Sequence, residues 1–73
     1  MKEGILVWYE DSIAVKYFDR GELIYKVPEV GQTVRMFQNG VWHEVKIRST
    51  TEEPYIEDWY YGNCLGCDVR IEE

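Results

Sequence analysis

A single histidine and two cysteines leave this chain little from which to build a metal centre or a covalent catalyst. Zinc takes four ligands, whereas Cys64-x-x-Cys67 and His43 offer three within one chain. A thioredoxin-type redox pair would open a helix inside a βαβ pattern, and no such pattern is present. Two cysteines are also too few for a disulfide framework, and without an export signal they are expected to be reduced. Glycine-rich phosphate loops and nucleophile elbows are absent. No apolar run is long enough for a signal peptide or a membrane span, so a soluble, cytoplasmic protein is expected. With two prolines, no linker and no repeat, the 73 residues read as one small domain, 1–73.

Positive charge is scarce in the last third. From Met1 to Arg48 seven basic side chains meet seven acidic ones. From Ser49 to Glu73 Arg70 alone opposes Glu52, Glu53, Glu57, Asp58, Asp68, Glu72 and Glu73, which accounts for the whole net charge of −6. A field of one sign repels phosphate and attracts basic surfaces.

Strand signals dominate what is there. Gly4 to Glu10 is a short β-branched and aromatic run, and Ile13, Val15 and Tyr17 alternate after a turn at Glu10-Asp11-Ser12. Asp19-Arg20-Gly21 turns the chain into a third strand from Glu22 to Val27, which Pro28 stops. Thr33 to Phe37 and Val41 to Ile47 flank Asn39-Gly40, a type I′ hairpin signal. Glu57 to Tyr61 and Cys67 to Ile71 read as the last strands, joined by Gly62 to Gly66. Ser49 to Pro54 carries overlapping capping-box patterns compatible with one helical turn. The expectation is an all-β chain of about six short strands, either an SH3-like barrel, the first choice, or a strongly bent open antiparallel sheet. Trp8, Trp42 and Trp59, with the tyrosines, are expected to supply much of its core.

The run Val30-Gly31-Gln32-Thr33-Val34, then Asn39-Gly40-Val41-Trp42, Val45-Lys46-Ile47, Asp58-Trp59-Tyr60 and Leu65-Gly66-Cys67-Asp68-Val69-Arg70-Ile71 resembles a family of short β-rich proteins encoded on phages and mobile elements of Gram-positive bacteria. The match spans roughly residues 30–71. One residue separates Gly40 from Trp42, and Cys67 stands where an aliphatic residue is usual in that pattern. The resemblance implies a mobile-element origin and a β-rich fold, and it assigns no activity.

Each candidate site has an ordinary structural reading beside it. Cys67 alternates with Asp68 and falls on the Val69 and Ile71 side, as a small hydrophobe would. His43 shares a strand face with Val41, Val45 and Ile47 and has no recognisable nucleophile partner. The expectation is therefore no enzyme, no cofactor and no metal. Trp42 shares its face with Glu44, Lys46 and Arg48, either as a contact residue or lying under basic stems. In Asp58-Trp59-Tyr60-Tyr61 alternation sends Trp59 and Tyr61 inward and Tyr60 outward among carboxylates. Partner-binding residues are expected at Glu52, Glu53, Tyr55, Glu57, Asp58 and Tyr60, with Trp42 beside them. The partner they suit is a basic, nucleic-acid-handling protein, inhibited by charge mimicry, and the mobile-element resemblance implies a host protein such as a defence nuclease. No membrane is involved, and the chain would be a monomer or weak dimer. The alternative is direct nucleic-acid binding by an SH3-like or OB-like barrel through Trp42, Lys46 and Arg48, with Arg35 nearby.

Overall fold

Three two-residue reversals build most of the fold, and they share one backbone geometry. Glu10-Asp11, Arg20-Gly21 and Asn39-Gly40 each hold two successive residues at positive φ, between 47° and 81°. This is the pattern of the type I′ turn, whose twist matches that of the strands it joins. The first joins β1 (Lys2–Tyr9) to β2 (Ser12–Asp19), and the second joins β2 to β3 (Glu22–Lys26). The third joins β4 (Thr33–Gln38) to β5 (Val41–Ser49). The computed structural model describes residues 1–72 and adds β6 (Tyr55–Ile56), a single helical turn α1 (Tyr61–Cys64) and β7 (Asp68–Ile71).

The strands form one antiparallel sheet in the order β3-β2-β1-β7-β4-β5-β6. The last strand in sequence is the middle one in space. Val69 of β7 lies opposite Gly4 of β1 on one side and opposite Met36 of β4 on the other. It thereby fastens the β1–β3 meander to the β4–β6 meander. Alternation along each strand sets an inner face of Leu6, Ile13, Val15, Val34, Met36, Val45, Ile47, Val69 and Ile71, all buried. Each such side chain contributes roughly 1.5–3 kcal/mol by leaving water. The entropy of ordering the chain offsets most of that sum.

The tryptophans expected inside lie at the margins of this core. Trp8 is 44% exposed, and Trp42 and Trp59 are half-buried. A narrow, bent sheet leaves an interior sized for branched aliphatic chains, and the indoles cover its borders.

The sheet does not close, so the SH3-like barrel is replaced by the bent-sheet alternative. Its edges are β3, which stops short of Pro28, and β6, which is two residues long. Neither is placed or long enough to zip against the other. Bending brings the end of β5 to the start of β2 through an isolated bridge between Ser12 and Thr51. The Ile13 N–H donates to Thr50 O across it, at 3.0 Å.

Two segments depart from their expected form. Glu57 to Tyr61 is not a strand: Asp58, at φ 69°, turns the chain back, and the Trp59 N–H donates to Ile56 O at 2.9 Å. Only Tyr55 and Ile56 pair with β5, because Ile56 is the residue that reaches the core. Consecutive aromatics carry strand propensity wherever they stand, and here a tight turn overrides it. Ser49 to Pro54 forms no helical turn, since Glu52 at φ 61° breaks the run of helical dihedrals. Helix appears instead at Tyr61–Cys64, within the stretch read as a plain connection.

Candidate functional site

Carboxylates occupy several of the turns, Glu10, Asp11 and Glu52 at one end of the sheet and Asp58 beside β5. Six residues other than glycine have positive φ, and four of them are Glu10, Asp11, Glu52 and Asp58. A left-handed conformation costs an L-residue roughly 1–2 kcal/mol, and asparagine or glycine relieves that cost. The hairpin that joins β4 and β5 uses those cheaper residues, Asn39 and Gly40. Glu10 and Glu52 hold that conformation without such relief, and retained strain of this kind clusters at functional sites.

These tips converge although 41 positions separate Asp11 from Glu52. The Ser12–Thr51 bridge is antiparallel, so Asp11 and Glu52 stand one residue beyond it on neighbouring segments. Glu53 follows directly and leads into an open cleft of about 610 Å³. That cleft is walled by Pro54, Tyr55, Trp59, Tyr60 and Tyr61, with Glu53 and Asp58 at its border.

The aromatic wall is held from behind. Trp59 packs against the core and its ring lies 5.1 Å from His43. Tyr61 also packs on the core and stacks on Trp8 with centroids 5.6 Å apart. Tyr60, 65% exposed, sits 5.1 Å from Tyr61 and lies across the backbone at Gly62. A Cβ on Gly62 would come within 2.5 Å of the Tyr60 ring, so only glycine lets the ring lie there. Below it, the Cys64 thiol donates to Tyr60 O at 3.4 Å. Tyr55, about half exposed, completes the wall from β6.

Of the seven residues expected to bind a partner, Glu53, Tyr55, Asp58 and Tyr60 line the cleft, and Glu52 stands beside it. Glu57 does not join them. Arg48 grips its carboxylate, with Nε and Nη2 at 2.7 and 2.6 Å from Oε2, over a small polar hollow that also contains Lys46. Trp42 lies apart, on the outer face of β5, where the Arg70 guanidinium covers its ring at 4.1 Å and Phe37 packs beside it. It does lie under a basic stem, from β7 rather than from Lys46 or Arg48. Charge is likewise less concentrated in space than along the chain: Asp68 projects beside Ile5 from β7, and Glu72 lies near Lys26. Glu73 lies outside the described residues.

Sequence reading missed Trp8, Glu10, Asp11 and Gly62. Two acids in a two-residue hairpin that ordinarily takes Asn-Gly were a usable signal. The bridge that carries that hairpin to Thr51 had none.

Cys64 is buried in the core and Cys67 packs against it. Burial pushes the Cys67 thiol up to about 11, with Cys64 and Asp68 adding to the rise, and burial also raises Cys64. Both are protonated at neutral pH, and a nucleophile would need the thiolate. His43 Nε2 donates to Gln38 O at 3.2 Å. Among the described residues no three or more His, Cys, Asp or Glu side chains converge as metal ligands would. Among the described residues no helix is long and apolar enough to cross a membrane. No protein-family model, curated protein or solved structure matches the chain.

Proposed function

We propose that this chain is a small acidic protein-binding module that docks on the basic surface of a nucleic-acid-handling protein and occludes it. The observation that carries this reading is the cleft, which combines four aromatic rings with Glu53 and Asp58 beside a row of strained carboxylates. Aromatic side chains in a partly desolvated hollow supply hot-spot binding energy. Carboxylates around them draw lysine or arginine into cation–π and ionic contact together. Carboxylates at turn tips are exposed on several sides and can meet groups that ordinarily hold phosphates.

The module is a binding protein and not an enzyme, and it works in the cytoplasm. An accessory role on a phage or mobile element, inhibiting a host protein such as a defence nuclease, follows from the sequence resemblance together with this chemistry. Direct nucleic-acid binding has less in its favour. Arg35 and Arg48 are paired with Glu44 and Glu57, and Trp42 is already capped by Arg70. On that hairpin Lys46 is the one basic side chain outside these contacts among the described residues, which leaves little positive charge there to release counterions from a phosphate backbone.

Capture from a host lysate tests the reading. The wild-type chain should retain a basic protein that moderate salt elutes and that added nucleic acid displaces. A Glu52→Gln, Glu53→Gln, Asp58→Asn variant should retain at most about a tenth as much, given tenfold per 1.4 kcal/mol. Equal retention by both, or a partner indifferent to nucleic acid, would contradict it.

A further inference from the structure

The outer face of β1, β2 and β3 is largely apolar around Lys16, which stands between Ile5 and Tyr25. Ile5, Phe18, Leu23 and Tyr25 are exposed there, Phe18 at 73%, and Phe18 lies opposite Leu23. Tyr9 and Tyr25 stack across β2 with centroids 4.1 Å apart, which accounts for Ala14 beneath them being fully buried. β3 is the edge of the sheet on this side, so one row of its backbone donors and acceptors has no strand partner. Edges of this kind are usually protected by a lysine, and Lys26 is in position to do so. Glu22, four residues earlier, changes that protection into selectivity.

We propose that β3 pairs antiparallel with β3 of a second copy about a two-fold axis at Ile24, joining two sheets into one. The segment Glu22-Leu23-Ile24-Tyr25-Lys26 is complementary to itself in that register. Each Glu22 faces the other copy's Lys26, each Leu23 faces a Tyr25, and Ile24 faces itself. Registers centred on Glu22 or on Lys26 would set like charges against each other. Neither Glu22 nor Lys26 is in an ion pair among the described residues, whose four pairs use other side chains. On the outer face the Leu23–Tyr25 contacts carry the apolar surface, from Phe18 onward, across the junction. Five residues of edge make a small interface, so the dimer is weak, with dissociation in roughly the micromolar-to-millimolar range. The surface is separate from the acidic cleft, and the two proposals stand or fall independently.

Sedimentation equilibrium across that concentration range is the test, with circular dichroism to verify that each variant folds. Wild-type protein should pass from monomer to dimer. Glu22→Lys alone and Lys26→Glu alone should each weaken the dimer about tenfold, because one change makes both symmetry-related pairs repulsive. The double variant Glu22→Lys, Lys26→Glu restores opposite charges and should recover wild-type association. A monomer at every concentration would overturn the proposal. So would a dimer insensitive to either single change, or a double variant no tighter than the singles.

Discussion

Replacing Gly4 with alanine should lower the melting temperature by about 12–24 °C, the shift expected for a loss of about 3 kcal/mol in a domain of this size. Gly4 lies on β1 between its two neighbours, opposite Val69 of β7 and against Lys16 and Tyr17 of β2. A Cβ there would run into the Lys16 carbonyl and come within 3.0 Å of the Tyr17 Cβ. Neither obstacle is the movable end of a side chain, so β1 and β2 would have to part where β7 fastens the two meanders. Overpacking of this kind costs roughly 1–3 kcal/mol and more when the backbone must shift. Small domains hold only about 5–15 kcal/mol in reserve, so a loss of this size removes a large fraction of the total. Thermal melting followed by circular dichroism measures it. A melting temperature within about 3 °C of wild type would show that β1 does not approach β2 as closely as described.

Removing the Tyr60 ring should have the largest effect on binding. Tyr60→Ala should weaken the captured complex about 30- to 100-fold, chiefly through faster dissociation, as loss of a central aromatic anchor does. Its effect on stability should be small, because the ring is 65% exposed. Gly62→Ala offers a subtler form of the same test. Its methyl group would displace the Tyr60 ring without removing any of the cleft's side chains. It should move the dissociation rate in the same direction by a smaller factor. Unchanged dissociation in both variants would place the anchor elsewhere.

What was legible in the sequence followed the range of the interactions involved. Asn39-Gly40 and Arg20-Gly21 mark hairpins through local backbone preference, Glu10-Asp11-Ser12 is legible as a polar break between apolar runs, and the strands around them stand where alternation puts them. The inward Val69 and Ile71 are legible for the same reason, whereas Tyr60 is exposed in the connection ahead of α1 and not by the strand alternation expected of it. Closure was not legible, since it depends on how β3 and β6 sit in space, and neither carries a signal for the other. The aromatic run after Glu57 was misread because strand propensity describes a half-buried surface, and Asp58 turns the chain before one can form. Four of the cleft's residues were identified by counting charge and aromatics along the chain. Glu57 was counted with them because a sequence does not show that Arg48 holds it. Asp11 was omitted because its neighbour Glu52 is brought close only by the bridge at Ser12.

The central claim is that the acids at the cleft, rather than the net charge of −6 as such, guide the partner in. Exposed charges act mainly on encounter rate, and salt screens them beyond about 8 Å at physiological ionic strength. The direct measurement is the association rate with the captured partner against salt concentration, for two variants that remove acids from different places. Glu52→Gln, Glu53→Gln, Asp58→Asn keeps side chains that tolerate the local backbone and should slow association about tenfold at low salt while flattening its salt dependence. Asp68→Asn, Glu72→Gln removes acids on β7 and near Lys26 and should leave both the rate and its salt dependence close to wild type. Equal slowing by the two variants, scaled only to the charge removed, would contradict the account. So would an unchanged rate at every salt concentration for the variant at the cleft.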